Sequence, residues 1–231
     1  MSSEATVGVV IVAAGSSTRM EGVDKTFAPL LGRPLITHTL DSFEEWPVIS
    51  QVTLVLSADS VEAGRSVVQE HAYRKISRVV AGGARRQDSV KAGLDALKPC
   101  RWVMVHDGAR PGVDIPLLER ALAAAYSSPH GAAIAGVPVK DTIKTVDASG
   151  RITGTPPRES LWAAQTPQIF AYDVLCRAHA QFQGEATDDA MMVESLGHHV
   201  TVFPGSYENL KVTTPEDLVV MEAILQARAS G

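Results

Sequence analysis

Six short apolar runs recur along the chain with amphipathic stretches between them, and this alternation restricts the fold more than any other feature. The runs are Val7–Val12, Val52–Ser57, Ile76–Ala81, Trp102–His106, Ala132–Val137 and Val200–Phe203. Between them, Pro34–Glu45, Ser60–His71, Arg86–Leu97 and Pro116–Ser127 space their apolar residues three and four apart, as one face of a helix does. Strands alternating with helices predict an α/β protein with a Rossmann-like, mostly parallel sheet flanked by helices. The first run is β-branched at nearly every position, which suits a strand covered on both faces and hence a central place in the sheet. At 231 residues, with 45% hydrophobic and 20% charged, the chain has material for one domain spanning 1–231.

One segment breaks the rhythm. Within roughly 138–160, Thr142–Val146 and Arg151–Thr153 alternate in character and are joined by Asp147-Ala148-Ser149-Gly150, which reads as a β-hairpin. An isolated hairpin is marginal in water, so this arm needs support, and a second subunit is one source of it.

Ligands on parallel sheets bind beyond the carboxyl ends of the strands. Three loops fall there: Ala13 to Arg19, Gly82-Gly83-Ala84-Arg85-Arg86, and Asp107-Gly108-Ala109-Arg110. The first, within VVIVAAGSSTRM, joins small residues to a cation. Its backbone N–H groups can approach a large anion, although small residues also serve an ordinary strand-to-helix connection. It carries neither G-x-G-x-x-G nor G-x-x-x-x-G-K-[ST], so the dinucleotide fingerprint and the ATPase P-loop are both absent.

The net charge of −5 gives no global attraction to nucleic acid or to an anionic membrane, so any basic site is local. The two cysteines, Cys100 and Cys176, make neither a disulfide framework nor a metal cluster and fit a reducing cytosol. No stretch is apolar over a spanning length, and Glu4 rather than a basic region precedes the first apolar run. The expectation is a soluble, unexported, cytoplasmic protein. Because the chain ends soon after its last expected helix, no fused further domain is expected.

Taken in order, VVIVAAGSSTRM, Lys25, GGARRQDSV, VHDGARP, PVKDTIK, Arg158 with LWAAQTPQIF, TDDA and ENLKVTTPEDL resemble the 2-C-methyl-D-erythritol 4-phosphate cytidylyltransferases of non-mevalonate isoprenoid synthesis. The likeness runs from Val9 to about Leu218. It implies attack of the methylerythritol phosphate on the α-phosphorus of CTP, releasing pyrophosphate, with Mg²⁺ or another divalent cation held mainly by the CTP phosphates and no protein ligand assigned. The nucleophile is already an anion, so such chemistry asks for positioning and charge stabilisation rather than a general base. A positive charge about 4 Å from a negative one is worth on the order of 4 kcal/mol at a surface-like dielectric.

By that resemblance Ala13, Ala14 and Gly15 hold CTP by backbone contacts, and Arg19 and Lys25 stabilise charge on the α-phosphorus. Gly83 and Ser89 recognise the cytosine. Arg86 is either a triphosphate contact or an exposed cation at a helix start. Asp107 and Gly108 fall on nucleotide-side positions, and Asp107 is open to a role on the ribose, the substrate hydroxyls or Mg²⁺. Gly108 stands where Ala is usual in the family. Arg110 and Thr142 contact the methylerythritol phosphate in the neighbouring subunit's site, which makes the arm the basis of a homodimer. Arg158, Thr166 and Lys211 lie on further substrate-side positions, and Arg158 and Lys211 serve the nucleophile as Arg19 and Lys25 serve CTP.

Other features have plainer readings. Thr187-Asp188-Asp189 reads as Thr capping a helix ahead of two first-turn acids, and Thr214-Pro215-Glu216-Asp217 as a second helix start. Adjacent His198 and His199 point apart and make a poor metal pair. His106 reads as a packed strand-end histidine, and Trp102 and Trp162 as packing residues. The rivals are a cytidylyltransferase for another polyol phosphate such as ribitol 5-phosphate, and a nucleotide-binding protein without turnover.

Overall fold

The computed structural model describes residues 6–15 and 25–230. The chain runs through β1 (Val7–Ala13), a small hairpin of β2 (Pro29–Leu30) and β3 (Arg33–Pro34), α1 (Leu35–Glu45), β4 (Ile49–Leu56) and α2 (Val61–Glu70). It continues with β5 (Ile76–Ala81), α3 (Arg86–Ala96), β6 (Trp102–Asp107), α4 (Ile115–Ser127) and β7 (Ala132–Pro138). A second hairpin follows, β8 (Thr145–Val146) with β9 (Ile152–Gly154), and then β10 (Trp162–Ala171). The last elements are α5 (Tyr172–Gln181), α6 (Asp189–Ser195), β11 (Thr201–Pro204) and α7 (Pro215–Ser230).

The main sheet has seven strands in the order β11-β7-β10-β6-β1-β4-β5. As its apolar run requires, β1 lies inside the sheet, parallel to β4 and β6. Its side chains alternate between two cores. Val7, Val9 and Ile11 meet α1 and α4 on one face, while Val10 meets α3 on the other. On β6, Trp102 and Met104 join the first core, and Val103 and Val105 the second. Val9, Val10 and Ile11 are fully buried, each worth about 1.5–3 kcal/mol of transfer free energy.

The strand of the main sheet that the sequence pattern conceals is β10, which runs antiparallel to both β6 and β7. Gln165-Thr166-Pro167-Gln168 interrupts its apolar character, and proline inside a strand argues against a strand. The pairing with β7 accommodates the interruption by a register shift between Ala164 and Gln168. The arm is the expected antiparallel hairpin, its first strand shorter than the sequence pattern and its second shifted by one residue. Gly150 has φ +81°, a left-handed turn position, and Asp147 Oδ1 accepts from the backbone N–H groups of Ser149 and Arg151.

Two helix starts test the capping expectations. At α7, Asp217 Oδ2 accepts from the N–H groups of Thr213 and Thr214, and Asp217 N–H reaches Thr214 Oγ1 at 3.4 Å, as expected of a capped start. At α6 the expectation is corrected: Asp188, not Thr187, is the cap, its Oδ1 accepting from Met191 N–H at 3.0 Å. A carboxylate matches this cap as well as a hydroxyl does, and the shift of one residue carries Asp189 into the interior, fully buried.

The seat of α3 on β1 is tight. A Cβ on Gly93 would collide with Val10 Cγ1 and come within 3.0 Å of Val55 Cγ2. Gly93→Ala would ordinarily favour a helix, yet here it is expected to destabilise the protein by about 1–3 kcal/mol through overpacking. A lower urea midpoint with unchanged m-value is the measurement that checks it; a midpoint at or above that of the parent would mean that α3 moves freely.

Candidate active site

The carboxyl ends of β1 and β6 and the loop after β5 enclose a cavity of about 390 Å³. Ala13, Ala14 and Gly15 form one wall, and Gly83 and Ser89 another. The Gly83 loop is pinned from beneath, since Gly83 N–H donates to Ser89 Oγ at 3.2 Å and Ser89 is 2% exposed. Glycine is required in this loop: a Cβ on Gly83 would collide with Asp88 Cβ. Lys25, Arg86 and Lys211 bring positive charge to the cavity, and α3 begins at Arg86, so its unpaired N–H groups also face this end of the sheet.

Asp107, the last residue of β6, is the electrostatic centre. Its carboxylate meets Lys211 Nζ at 2.9 Å, Arg86 Nε at 3.4 Å and Arg110 Nε at 3.4 Å. Burial alone would raise its pKa, but the three cations outweigh burial and hold the carboxyl far below the usual range. Arg86 is not the exposed cation that one reading allows. Its Nη1 donates to Asp189 Oδ2 at 2.7 Å, and the Asp189 and Asp107 carboxylates raise its pKa against the opposing effect of burial.

Lys211 reaches Asp107 because the Asn209–Val212 segment lies along the Asp107 loop. Val212 N–H donates to Ala109 O at 2.8 Å, and Arg110 Nη1 donates to Asn209 O at 2.8 Å. The Asn209 side chain, fully buried, donates to Thr166 O at 2.7 Å. It ties this segment to β10.

A second recess of about 220 Å³ opens between Arg110, Thr166, Gln168 and Asp188. It shares Arg86, Asp107 and Lys211 with the first cavity, so those three side chains form the common wall. Thr166 is fixed in both directions. Its Oγ1 accepts from Asp107 N–H at 3.0 Å and lies 3.1 Å from His106 Nδ1. His106 Nε2 lies 3.2 Å from Arg110 O, which can only accept, so the proton resides on Nε2 and Thr166 donates to Nδ1. The packed strand-end histidine read from the sequence is what the structure contains, and complete burial pushes its pKa down to about 4.

Arg19 lies outside the described residues. Gly108 sits behind the cavity wall, where a Cβ would come within 2.8 Å of Ile36 Cδ1 and 2.9 Å of Ala13 Cβ; the glycine is matched to close packing there. Thr142 and Arg158 are exposed on the arm segment and line neither recess, and Arg158 Nη1 donates to Lys140 O at 3.0 Å. Arg110 lies in its own chain's basic cluster. Trp162, expected to pack, is 43% exposed at the start of β10, whereas Trp102 is buried. Gln168 lines the second recess, while Asn209 and Asp189 bond to the lining residues Thr166 and Arg86; sequence reasoning singled out none of the three individually, although each falls in a quoted motif. Among the described residues no three His, Cys, Asp or Glu side chains converge as a metal site, and no helix is long and apolar enough to cross a membrane.

The small-residue wall, the helix start and the cation-ringed carboxylate at the ends of parallel strands define an α/β nucleotidyltransferase. The sequence model of the family described as 2-C-methyl-D-erythritol 4-phosphate cytidylyltransferase matches residues 7–227, and the chain belongs to that family. A relative of that name from Dehalococcoides mccartyi is 45% identical over 220 residues, covering 95% of this chain and 96% of its own. Another, from Alkaliphilus oremlandii, is 44% identical over 229 residues, with 96% of each chain covered. Among solved structures, the 4-diphosphocytidyl-2C-methyl-D-erythritol synthase of Anaerococcus prevotii superposes with a TM-score of 0.82 at 29% identity, covering 95% of this chain and 98% of that one. The Thermus thermophilus cytidylyltransferase gives 0.76 at 34% identity, with the same coverage.

The buried histidine gives the site a pH signature. An unfolded histidine takes up its proton near pH 6.5, while folded His106 does so only near pH 4. Between these values the unfolded state binds more protons, so stability is complete above about pH 6.5 and falls as the pH drops, by on the order of 3 kcal/mol. His106→Asn is expected to flatten this dependence. Urea titrations of both proteins at pH 7 and pH 5 measure it, and parallel losses in the two would assign the effect elsewhere.

Proposed function

We propose that the larger cavity takes CTP, that the smaller recess takes 2-C-methyl-D-erythritol 4-phosphate, and that the bond forms over their common wall. The observation that carries this reading is the sharing of Arg86, Asp107 and Lys211 by both recesses. A transfer between two anions needs cations that touch both, because repulsion is the main barrier to their approach. Lys25 and Arg86 face the triphosphate, while Lys211 and Arg110 orient the attacking phosphate. The attack forms a bond from an acceptor phosphate oxygen to the α-phosphorus and breaks the bond to pyrophosphate, giving 4-diphosphocytidyl-2-C-methyl-D-erythritol. Gly83 and Ser89 select cytosine in a pocket too tightly pinned to widen for a purine.

Mg²⁺, bound mainly by the triphosphate, would neutralise charge on the phosphates. The residues fit a cation carried in by its nucleotide: Asp107 is already surrounded by three basic side chains, and among the described residues no cluster of three carboxylates stands by. Ribitol 5-phosphate as acceptor is the less favoured reading, because the matched relatives carry the methylerythritol name over nearly their full length. Pyrophosphate release is expected with CTP and methylerythritol phosphate together, and to be far slower when ATP, GTP or UTP replaces CTP or ribitol 5-phosphate replaces the acceptor. Preference for another acceptor would change the substrate and leave the charge argument standing. No release with any pair would favour binding without turnover.

The arm extends the proposal to a cytoplasmic homodimer. Ile143, Val146 and Ile152 expose 38%, 58% and 59% of their surface on a hairpin too small to be stable alone. Thr142 and Arg158 sit on the same segment, away from their own chain's recesses, so their substrate role requires a partner's site. Lys25→Ala and Arg158→Ala, each inactive alone, should regain about a quarter of parental activity when mixed and allowed to exchange subunits, since half the dimers are mixed and each has one intact site. If Arg158 acts within its own chain, mixing restores nothing.

A further inference from the structure

Arg86 belongs to the common wall, where Asp107 is the one residue among those described that the cavity offers it as an ion-pair partner. Its contact to Asp107 is long, 3.4 Å, and Asp107 is shared with Arg110 and Lys211. The shorter contact, 2.7 Å, leads away from both recesses to Asp189, which lines neither. The Asp189 side chain has no exposure, and its second oxygen, Oδ1, lies 3.2 Å from Nε2 of His179, itself 5% exposed. Thus Oδ2 faces Arg86 and Oδ1 faces His179, one from α3 and one from α5. Capping of α6 falls to Asp188, which leaves Asp189 with no part in it.

A buried carboxylate is costly unless paired, and this one is spent wholly on holding a guanidinium and an imidazole. We propose that Asp189 is a positioning residue for CTP: it anchors the outer edge of Arg86 so that the guanidinium stays on the cavity wall instead of closing onto Asp107. This rests on the assignment of Arg86 to the CTP side. Without Asp189 the guanidinium would turn to pair with Asp107 by two hydrogen bonds, drawing that carboxylate from Lys211 and removing a cation from the triphosphate.

Steady-state kinetics of the full-length protein test the inference with Asp189→Asn, Arg86→Met and the double variant. Asp189→Asn is expected to raise the KM for CTP about tenfold or more, the loss of one charge-assisted hydrogen bond. In the Arg86→Met background the same change is expected to add less than about twofold, because Asp189 acts through Arg86. Losses that multiply in the double variant, or an unchanged KM for CTP in Asp189→Asn, overturn the proposal. If Arg86→Met itself leaves the KM for CTP unmoved, it is the placement of CTP that fails. Should Asp189→Asn be too unstable to purify, His179→Gln keeps the carboxylate and removes its second partner. It should raise the KM for CTP about threefold with kcat nearly unchanged, and a drop in kcat alone would count against the inference.

Discussion

Everything at the functional end of this molecule depends on one buried carboxylate among cations. Asp107 is 7% exposed, and an ionised group so placed is unstable unless surrounded by opposite charge. Arg86, Arg110 and Lys211 provide that charge from three separate parts of the chain, so the carboxylate gathers them before any substrate arrives. Three like charges held this close repel one another strongly. Asp107 and Asp189 together offset that repulsion, leaving one net positive charge among these five groups and a further cation, Lys25, on the cavity wall. On the proposed reading, an entering anion would meet cations already oriented, the arrangement that electrostatic stabilisation of a transition state requires.

The fold explains why the convergence is possible. Parallel strands deliver Ala13 and Asp107 to the same end of the sheet. An antiparallel strand beside them delivers its beginning there, and Trp162 pairs with Pro138 at the end of β7 while Gln168 pairs with Val105 near the end of β6. Thr166 reaches the site only because β10 runs backwards. The irregular register around Pro167 sits where the second recess opens, so the strand departs from regular pairing at the place where it lines a site.

The sequence disclosed the parts whose physics is local. Periodicity placed the parallel strands and the helices between them, because each buries its own face. Small residues at Ala13–Gly15 and the turn residues of the arm were legible for the same reason. What stayed hidden depends on distant partners. No local pattern distinguishes Arg86, drawn into a buried pair with Asp189 from 103 positions away, from a solvated arginine at a helix start. The TDDA motif looked like a cap and is one, but the residue doing the capping, Asp188, and the residue that holds Arg86, Asp189, are adjacent, and only packing separates their tasks. The strand β10 was hidden by the polar residues and proline within it, and the exposure of Trp162 by the ordinary expectation that a tryptophan packs.

His106 shows how a residue without a chemical step can still set the polarity of a recess. While the imidazole is neutral, Thr166 gives its hydroxyl proton to Nδ1 and accepts from Asp107 N–H, which leaves its remaining lone pair as an acceptor toward the second recess. Were the ring protonated, both nitrogens would be donors, and Thr166 would have to turn its own proton elsewhere. The recess would then lose one of its acceptors, leaving that part to the Asp107 and Asp188 carboxylates and to Gln168. Burial, by keeping the ring neutral well below physiological pH, preserves in one recess both cations for a phosphate and an oxygen for a hydroxyl. That combination is what a polyol phosphate requires.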